Sequence, residues 1–300
     1  MSLLDRAVSL TLPAVPKPIV RYFSKRYIAG PATEDAFRVV RDLSEQGAMA
    51  TLDILGEFIN SPEEAVTNGR AYMDLLERID EERLAETNIS VKLTALGLLL
   101  DRNLCLDNLR RMLDLVREKN NYLRIDMEDA PCTSMTIELY ETLRAEYPDH
   151  VGLVLQSRLR RTINDVDRLA SAKANYRLCK GIYLEPREIA FTDAESIRRN
   201  FVMILDRMLE LGSYVGIATH DELLVWESLR LIRKYSLSPE QYEFQMLLGV
   251  DEELRRILIS GGHRLRVYVP FGEQWYAYSV RRLRENPQIA GHALKALFGR

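Results

Sequence analysis

From Thr33 to Val269 the chain alternates between short β-rich runs and longer helical patterns, and eight repeats of that unit leave very few folds open to it. Thr33-x-Asp35 opens a helix that runs to Gly47, a residue suited to a C-cap, and Ala48–Leu55 (AMATLDIL) follows as a first strand. Ser61-Pro62-Glu63-Glu64 then starts a helix that continues to Glu82. Proline fits the first turn there, and the acids face the positive end of the helix dipole. Further strands are expected at Asn88–Leu93, Tyr122–Met127, Val151–Gln156, Tyr176–Lys180, Tyr214–Ala218, Tyr242–Met246 and Leu265–Val269. Helices are expected between them at 106–119, 133–146, 163–172, 193–211, 221–235 and 251–260. Eight such units imply a closed (βα)8 TIM-type barrel of the α/β class rather than an open doubly wound sheet. A barrel of this kind takes roughly 250 residues, so one domain nearly exhausts the chain. The expected organisation is an N-terminal helical segment over 1–32 and a catalytic barrel over 33–300. No G-x-G-x-x-G follows a strand, which leaves a Rossmann dinucleotide site unsupported.

Composition narrows the function classes. Across 300 residues, 47% hydrophobic content is enough for one large core, and a formal net charge of −3 argues against a nucleic-acid binder. Cys105, Cys132 and Cys179 form no C-x-x-C and read as plain buried residues in a reducing compartment. The longest apolar run, around Ala95–Leu100, is far too short for a membrane span. Leu3, Leu4, Val8 and Leu10 suggest a short amphipathic helix, broken by Pro13, Pro16 and Pro18, that packs on the domain. A membrane-surface helix is the alternative reading.

Barrel chemistry collects at the C-terminal ends of the strands. Polar side chains are expected there in seven of the eight strands. Lys92, Asp126 and Gln156 end the second, third and fourth, and Arg177 and Lys180 lie in the fifth. Thr219-His220-Asp221 follows the sixth, Glu243 and Gln245 lie in the seventh, and Tyr268 lies in the eighth. Each alone has an ordinary explanation as a cap, a satisfied core amide or a structural histidine. Together they are harder to dismiss, because burying such a group unpaired costs roughly 1–3 kcal/mol. Pro270-Phe271-Gly272 is expected to end the eighth strand, and a helix is expected from Glu273 to Glu285. On it Tyr278, Arg281, Arg282 and Glu285 fall on one face, and two adjacent guanidiniums repel unless an anion lies between them. That suits a clamp on a small carboxylate. A metal site fits poorly, since around His220-Asp221 no three-ligand constellation is visible, and His150, His263 and His292 fall in helix ends or turns.

The spacing Tyr-x-x-Arg-Arg-x-x-Glu directly after Tyr-Val-Pro-Phe-Gly resembles the C-terminal signature of the proline dehydrogenase family, flavoenzymes with a modified (βα)8 barrel. The resemblance runs through residues 34–290. VKLTALG (91–97) looks like the block whose lysine meets the substrate carboxylate, which would be Lys92, and IDMED (125–129) looks like the block that places an aspartate, Asp126, in the active site. Gln156 matches a glutamine that contacts the flavin. RLCKGIY (177–183) resembles R-L-V-K-G-A-Y, which implies Arg177 near flavin N5, Tyr183 in the substrate pocket, and Cys179, Lys180 and Gly181 at the cofactor. ATHD (218–221) implies that Thr219 and His220 hold the cofactor's phosphates and adenosine half. YEFQMLLG implies Gln245 at the cofactor and Leu247 against the proline ring. Tyr268, Tyr278, Arg281 and Arg282 would complete the pocket, with Glu285 pairing with an arginine or touching the flavin. The departures are Cys179 for an aliphatic residue, Arg158 where an aromatic is expected, and Ala95 where some members carry a polar residue.

The resemblance implies oxidation of L-proline to Δ1-pyrroline-5-carboxylate by non-covalent FAD, with electrons passed to a quinone. It also implies a monofunctional chain, cytoplasmic and in peripheral contact with the inner face of the membrane; homo-oligomer formation stays open. Two rival readings are a class I aldolase-type lyase using Lys92 or Lys180 as a Schiff-base lysine, and a non-catalytic flavin-binding barrel.

Overall fold

The computed structural model describes residues 26–170, 174–276 and 279. Its strands are β1 (Met49–Ile54), β2 (Thr87–Val91), β3 (Leu123–Ile125), β4 (Val151–Gln156), β5 (Asn175–Cys179), β6 (Tyr214–Ala218), β7 (Tyr242–Leu247) and β8 (Leu265–Phe271). They pair in parallel in chain order, and β8 returns to β1, closing the barrel. Helix α1 (Thr33–Glu45) precedes β1. Helices α2 (Pro62–Glu81), α3 (Arg102–Glu118), α4 (Ala130–Glu146), α5 (Thr162–Arg168), α6 (Ala194–Glu210), α7 (Glu222–Lys234) and α8 (Glu252–Ser260) follow β1 to β7 in turn. The expected N-terminal helix falls outside the described residues. What is described before α1 runs beside the end of β8, where the Gly272 N–H donates to the Gly30 carbonyl at 2.9 Å.

Most boundaries match the sequence signals, and the exceptions have local causes. Ser61 caps α2 by accepting from the Glu64 N–H, with Pro62 in the first turn. Helix α3 starts at Arg102 rather than 106, because the Asp101 carboxylate accepts from the N–H groups of Asn103 and Leu104. Helix α5 stops at Arg168 rather than 172, and the Leu169 carbonyl is taken by the Tyr176 hydroxyl and by Arg144. The eighth strand does not end before Pro270. Even-numbered residues of β8 turn their backbone towards β7, as the Leu248 N–H donating to the Tyr268 carbonyl shows. Beyond Tyr268 that neighbour has ended, so the N–H that Pro270 lacks would have met no ladder partner. The Pro270 carbonyl instead accepts from the Ala29 N–H at 3.0 Å, while β8 stays paired to β1 as far as Phe271.

The apolar core lies between the strands and the helices, with Ile89, Leu123, Leu153, Leu178, Ile217, Phe244 and Val267 packed in one cluster with Leu76, Leu109, Leu143 and Phe201. The lumen is polar. Tyr268 on β8 bonds Asp126 after β3, and Arg177 on β5 bonds Ser90 on β2; these strands are not neighbours, so the contacts cross the barrel. Gly152 makes room for this. A Cβ there would lie 2.2 Å from the Tyr122 hydroxyl, 2.3 Å from Arg124 Nη1 and 2.7 Å from the Asn175 carbonyl oxygen. Gly152→Ala is therefore expected to destabilise by about 1–3 kcal/mol through overpacking, read as a lower urea midpoint with unchanged slope.

Deep in the lumen Glu243 accepts from Arg266 Nε at 2.9 Å and from the Tyr214 hydroxyl at 2.9 Å. Burial raises its carboxyl, but the charge and hydrogen bond of Arg266 outweigh this and hold it at about 2. The folded value lies below the ordinary 4.5, so the stabilisation is full above pH 4.5 and is lost as pH falls towards about 2. The gap corresponds to about 3 kcal/mol. Unfolding free energies measured at about pH 7 and about pH 3 should fall more steeply for the wild type than for Glu243→Gln.

Candidate active site

The C-terminal mouth of the barrel is organised around Lys92, the residue at which β2 gives way to a 3-10 turn (Leu93–Leu96) closed by Gly97 at φ 102°. Its ammonium donates to both oxygens of Asp53 at 2.7 and 2.8 Å and to the Tyr268 hydroxyl at 3.2 Å. Tyr268 in turn donates to Asp126 Oδ2 at 2.8 Å. The other oxygen of Asp126 receives the Ser90 hydroxyl at 2.6 Å and Arg177 Nη1 at 2.8 Å. Arg177 Nε donates to the Gln245 side-chain carbonyl, and the Gln245 amide donates onward to Glu243. Lys92, Asp126, Arg177, Gln245 and Tyr268 thus form one connected array.

Backbone register and burial fix this array. The Asp126 N–H donates to the Val91 carbonyl at 2.9 Å, which sets Asp126 beside Lys92. Buried Glu128 accepts from the Thr94 N–H at 3.0 Å and from its hydroxyl at 2.5 Å, pinning the turn after Lys92. Burial pushes the Asp53 carboxyl upward, and the neighbouring Lys92 charge pulls it back. Burial lowers Arg177, an effect opposed by Asp126. Two fixed cations, two carboxylates and a phenol can seat and orient a small charged molecule. Tyr278, Arg281, Arg282 and Glu285 lie outside the described residues.

A second group lies at the ends of β4, β5 and β6. Gln156 is buried and donates to the Glu128 carbonyl at 2.7 Å. Gly181 has φ 91°, and a Cβ there would come within 2.6 Å of Gln156 Oε1, so the chain passes this point only as glycine. Lys180 Nζ and Arg198 Nε both donate to Asp221 Oδ2, at 3.0 and 2.7 Å, at the start of α7. Thr219 is buried, and its hydroxyl accepts from the Asp221 N–H at 3.1 Å. His220 Nε2 accepts from the Leu247 N–H at 2.9 Å, tying the loop after β6 to the end of β7. Arg158, in place of the expected aromatic, donates to the Tyr183 carbonyl. Burial raises the Cys179 thiol to about 11, so it faces its surroundings as a neutral group. Two cations converging at a helix start form a donor set that fits the diphosphate a flavin dinucleotide carries. Among the described residues no three His, Cys, Asp or Glu side chains are grouped to hold a metal ion.

Sequence reading missed Asp53, the nearest carboxylate to Lys92, so the first strand contributes a polar group after all. Its signal was an acid inside the otherwise uncharged ATLDIL. Ser90, Glu128 and Arg198 were also missed. Glu243 was grouped with the strand-end residues, whereas it lies one layer deeper, held by Arg266 and Tyr214.

The family model described as proline dehydrogenase matches residues 36–293. Proline dehydrogenase of Deinococcus radiodurans is 34% identical over 91% of this chain and 89% of its own length. Proline dehydrogenase 1 of Bacillus subtilis strain 168 is 34% identical over 92% of this chain and 91% of its own. Among solved structures, proline utilization A (PutA) from Bdellovibrio bacteriovorus, inactivated by N-propargylglycine, superposes with a TM-score of 0.82 at 26% identity over 88% of this chain. PutA from Corynebacterium freiburgense gives 0.79 at 20% identity over 97% of this chain, a likeness of fold. This chain covers 32% and 34% of those two PutA chains. With a family model matching residues 36–293 and relatives 34% identical over nine tenths of this chain, the chain belongs to the proline dehydrogenase family.

Proposed function

We propose that this protein oxidises L-proline to Δ1-pyrroline-5-carboxylate, with FAD as its bound cofactor and a membrane quinone as electron acceptor. The observation that carries the reading is the Lys92 ammonium, held by Asp53 and Tyr268 beside Asp126 at the C-terminal mouth of the barrel. Lys92 gives the substrate carboxylate a fixed cation, a task the sequence also assigns to Arg281 and Arg282. Asp126 holds Tyr268 through one oxygen and Arg177 through the other, so phenol and guanidinium keep a set spacing. Tyr183, Tyr268, Tyr278 and Leu247 are assigned to enclosing the ring and excluding water. Gln156, Arg177, Cys179, Lys180, Gly181, Thr219, His220, Gln245 and Glu285 are assigned to the cofactor. FAD, when bound, supplies the acceptor for the two electrons and the hydrogen leaving C5 of proline. The amine proton passes to solvent.

Lys92 and Lys180 are each tied to a carboxylate, at 2.7 and 3.0 Å, as fixed cations rather than amine nucleophiles, which weighs against the lyase reading. A quinone acceptor calls for contact with the membrane surface, assigned here to its cytoplasmic face; among the described residues no helix is long and apolar enough to cross a membrane. Purified protein should be yellow and should bleach on anaerobic addition of L-proline. A colourless protein trapped covalently by borohydride, or a yellow one that proline leaves oxidised, overturns the proposal.

A further inference from the structure

Asp221 lies where a helix would be capped, yet it does not cap its helix. It is the N-cap residue of α7, and its carboxylate accepts from none of the helix's first N–H groups. Asp101, Asp193 and Asp251 hold the same position on α3, α6 and α8, and each does accept from its own helix; Asp129, at the start of α4, does not. The Asp221 carboxylate is turned instead to Lys180, at the end of β5, and to Arg198, on α6. The two cations come from different elements and converge on one oxygen. Without an anion between them they would repel. Both remain partly open to solvent, Lys180 at 42% and Arg198 at 38% of their side-chain surface, while Asp221 is nearly covered at 9%. Burial raises the Asp221 carboxyl, and its hydrogen bonds to Arg198 and Lys180 more than reverse this, so it stays charged.

We propose that Asp221 is a built-in counter-ion for the cofactor's diphosphate subsite, in which Arg198 is a partner of Lys180. The carboxylate holds the two cations together beside the start of α7 while that subsite carries no phosphate. An incoming diphosphate then has to share or displace it. The inference rests on FAD as the cofactor and adds two residues to its subsite. The consequence runs against simple scaffolding: a carboxylate beside a bound diphosphate repels it, so neutralising Asp221 tightens binding even though two ion pairs are lost. If Asp221 only positioned the cations, the same change would weaken binding.

Asp221→Asn keeps the side chain's size and removes its charge. FAD release from the full-length holoprotein, followed by the fluorescence of freed flavin after dilution, gives the dissociation rate, and titration back with FAD gives Kd. The variant is expected to bind FAD about tenfold more tightly at low salt, with the gap narrowing as salt rises. Riboflavin, which carries no phosphate, should bind both proteins equally. Arg198→Met is expected to bind FAD about tenfold more weakly and riboflavin normally. Equal or weaker FAD binding by Asp221→Asn overturns the counter-ion role, and normal FAD binding by Arg198→Met removes that residue from the subsite. A wild-type protein that takes up no FAD refutes the cofactor assignment itself, a result the variants cannot mimic.

Discussion

Asp53→Ala is expected to cost about 3–5 kcal/mol of stability, the range found when one partner of a buried ion pair is removed. Asp53 is fully buried and Lys92 is only 7% exposed, so solvent can replace little of what the ammonium loses. The Tyr72 hydroxyl, which donates to Asp53 at 3.3 Å, loses a partner as well. Catalysis should suffer separately, because the carboxylate that holds Lys92 in place through two hydrogen bonds is gone. KM for proline is expected to rise more than kcat falls, since a seat for the carboxylate is made less definite rather than a reacting group removed. Asp53→Asn retains the shape and one acceptor, so it should lie between the two in both measurements. Urea unfolding and steady-state kinetics on the three proteins decide the matter. Equal midpoints and equal KM values would mean that Lys92 is held by something other than Asp53.

What could be read from the sequence follows from which properties are periodic. Strand and helix alternate with different periods, and the start of α2 carries its own chemistry in Ser61-Pro62, so the barrel and its order were legible. The two-residue strand period also put Glu243 and Gln245 on the same face of β7. It says nothing about depth along the barrel axis, so Glu243 was read as a mouth residue although Arg266 and Tyr214 hold it in the lumen. Lys92, Asp126, Arg177 and Tyr268 were legible as polar residues at strand ends. Their pairing was not, because Tyr268–Asp126 and Arg177–Ser90 join strands far apart in the sequence. Arg198 reads in sequence as one more charge on an exposed helix face; only its convergence with Lys180 on Asp221 sets it apart. Pro270 reads as a strand terminator, and only the staggered end of β7 makes it harmless.

Arg177→Met should separate the electrostatic role of this side chain from its structural one. Arg177 is 6% exposed, and its guanidinium is held by Asp126, Ser90 and Gln245. Its loss removes from Asp126 a charged partner at 2.8 Å, leaving the Ser90 and Tyr268 hydroxyls and the Lys92 ammonium at 3.8 Å, so a stability cost of about 3 kcal/mol, the lower end for breaking a buried pair, is expected. Under the proposed function this cation lies beside the flavin ring, where a positive charge favours the more negative reduced state. One charge-assisted hydrogen bond is worth about 1.5–3 kcal/mol, which for a two-electron couple corresponds to about 30–65 mV. Asp126 neutralises part of the field of Arg177, so the midpoint should fall by an amount near the lower end of that range. Arg177→Lys keeps the charge without the planar fork and should recover more of the potential than of the stability. Spectroelectrochemical titration and thermal melting of both variants test this. A folded, flavin-loaded Arg177→Met protein with an unchanged midpoint and a lowered melting temperature would leave Arg177 as a lumen ion-pair partner with no part in tuning the cofactor.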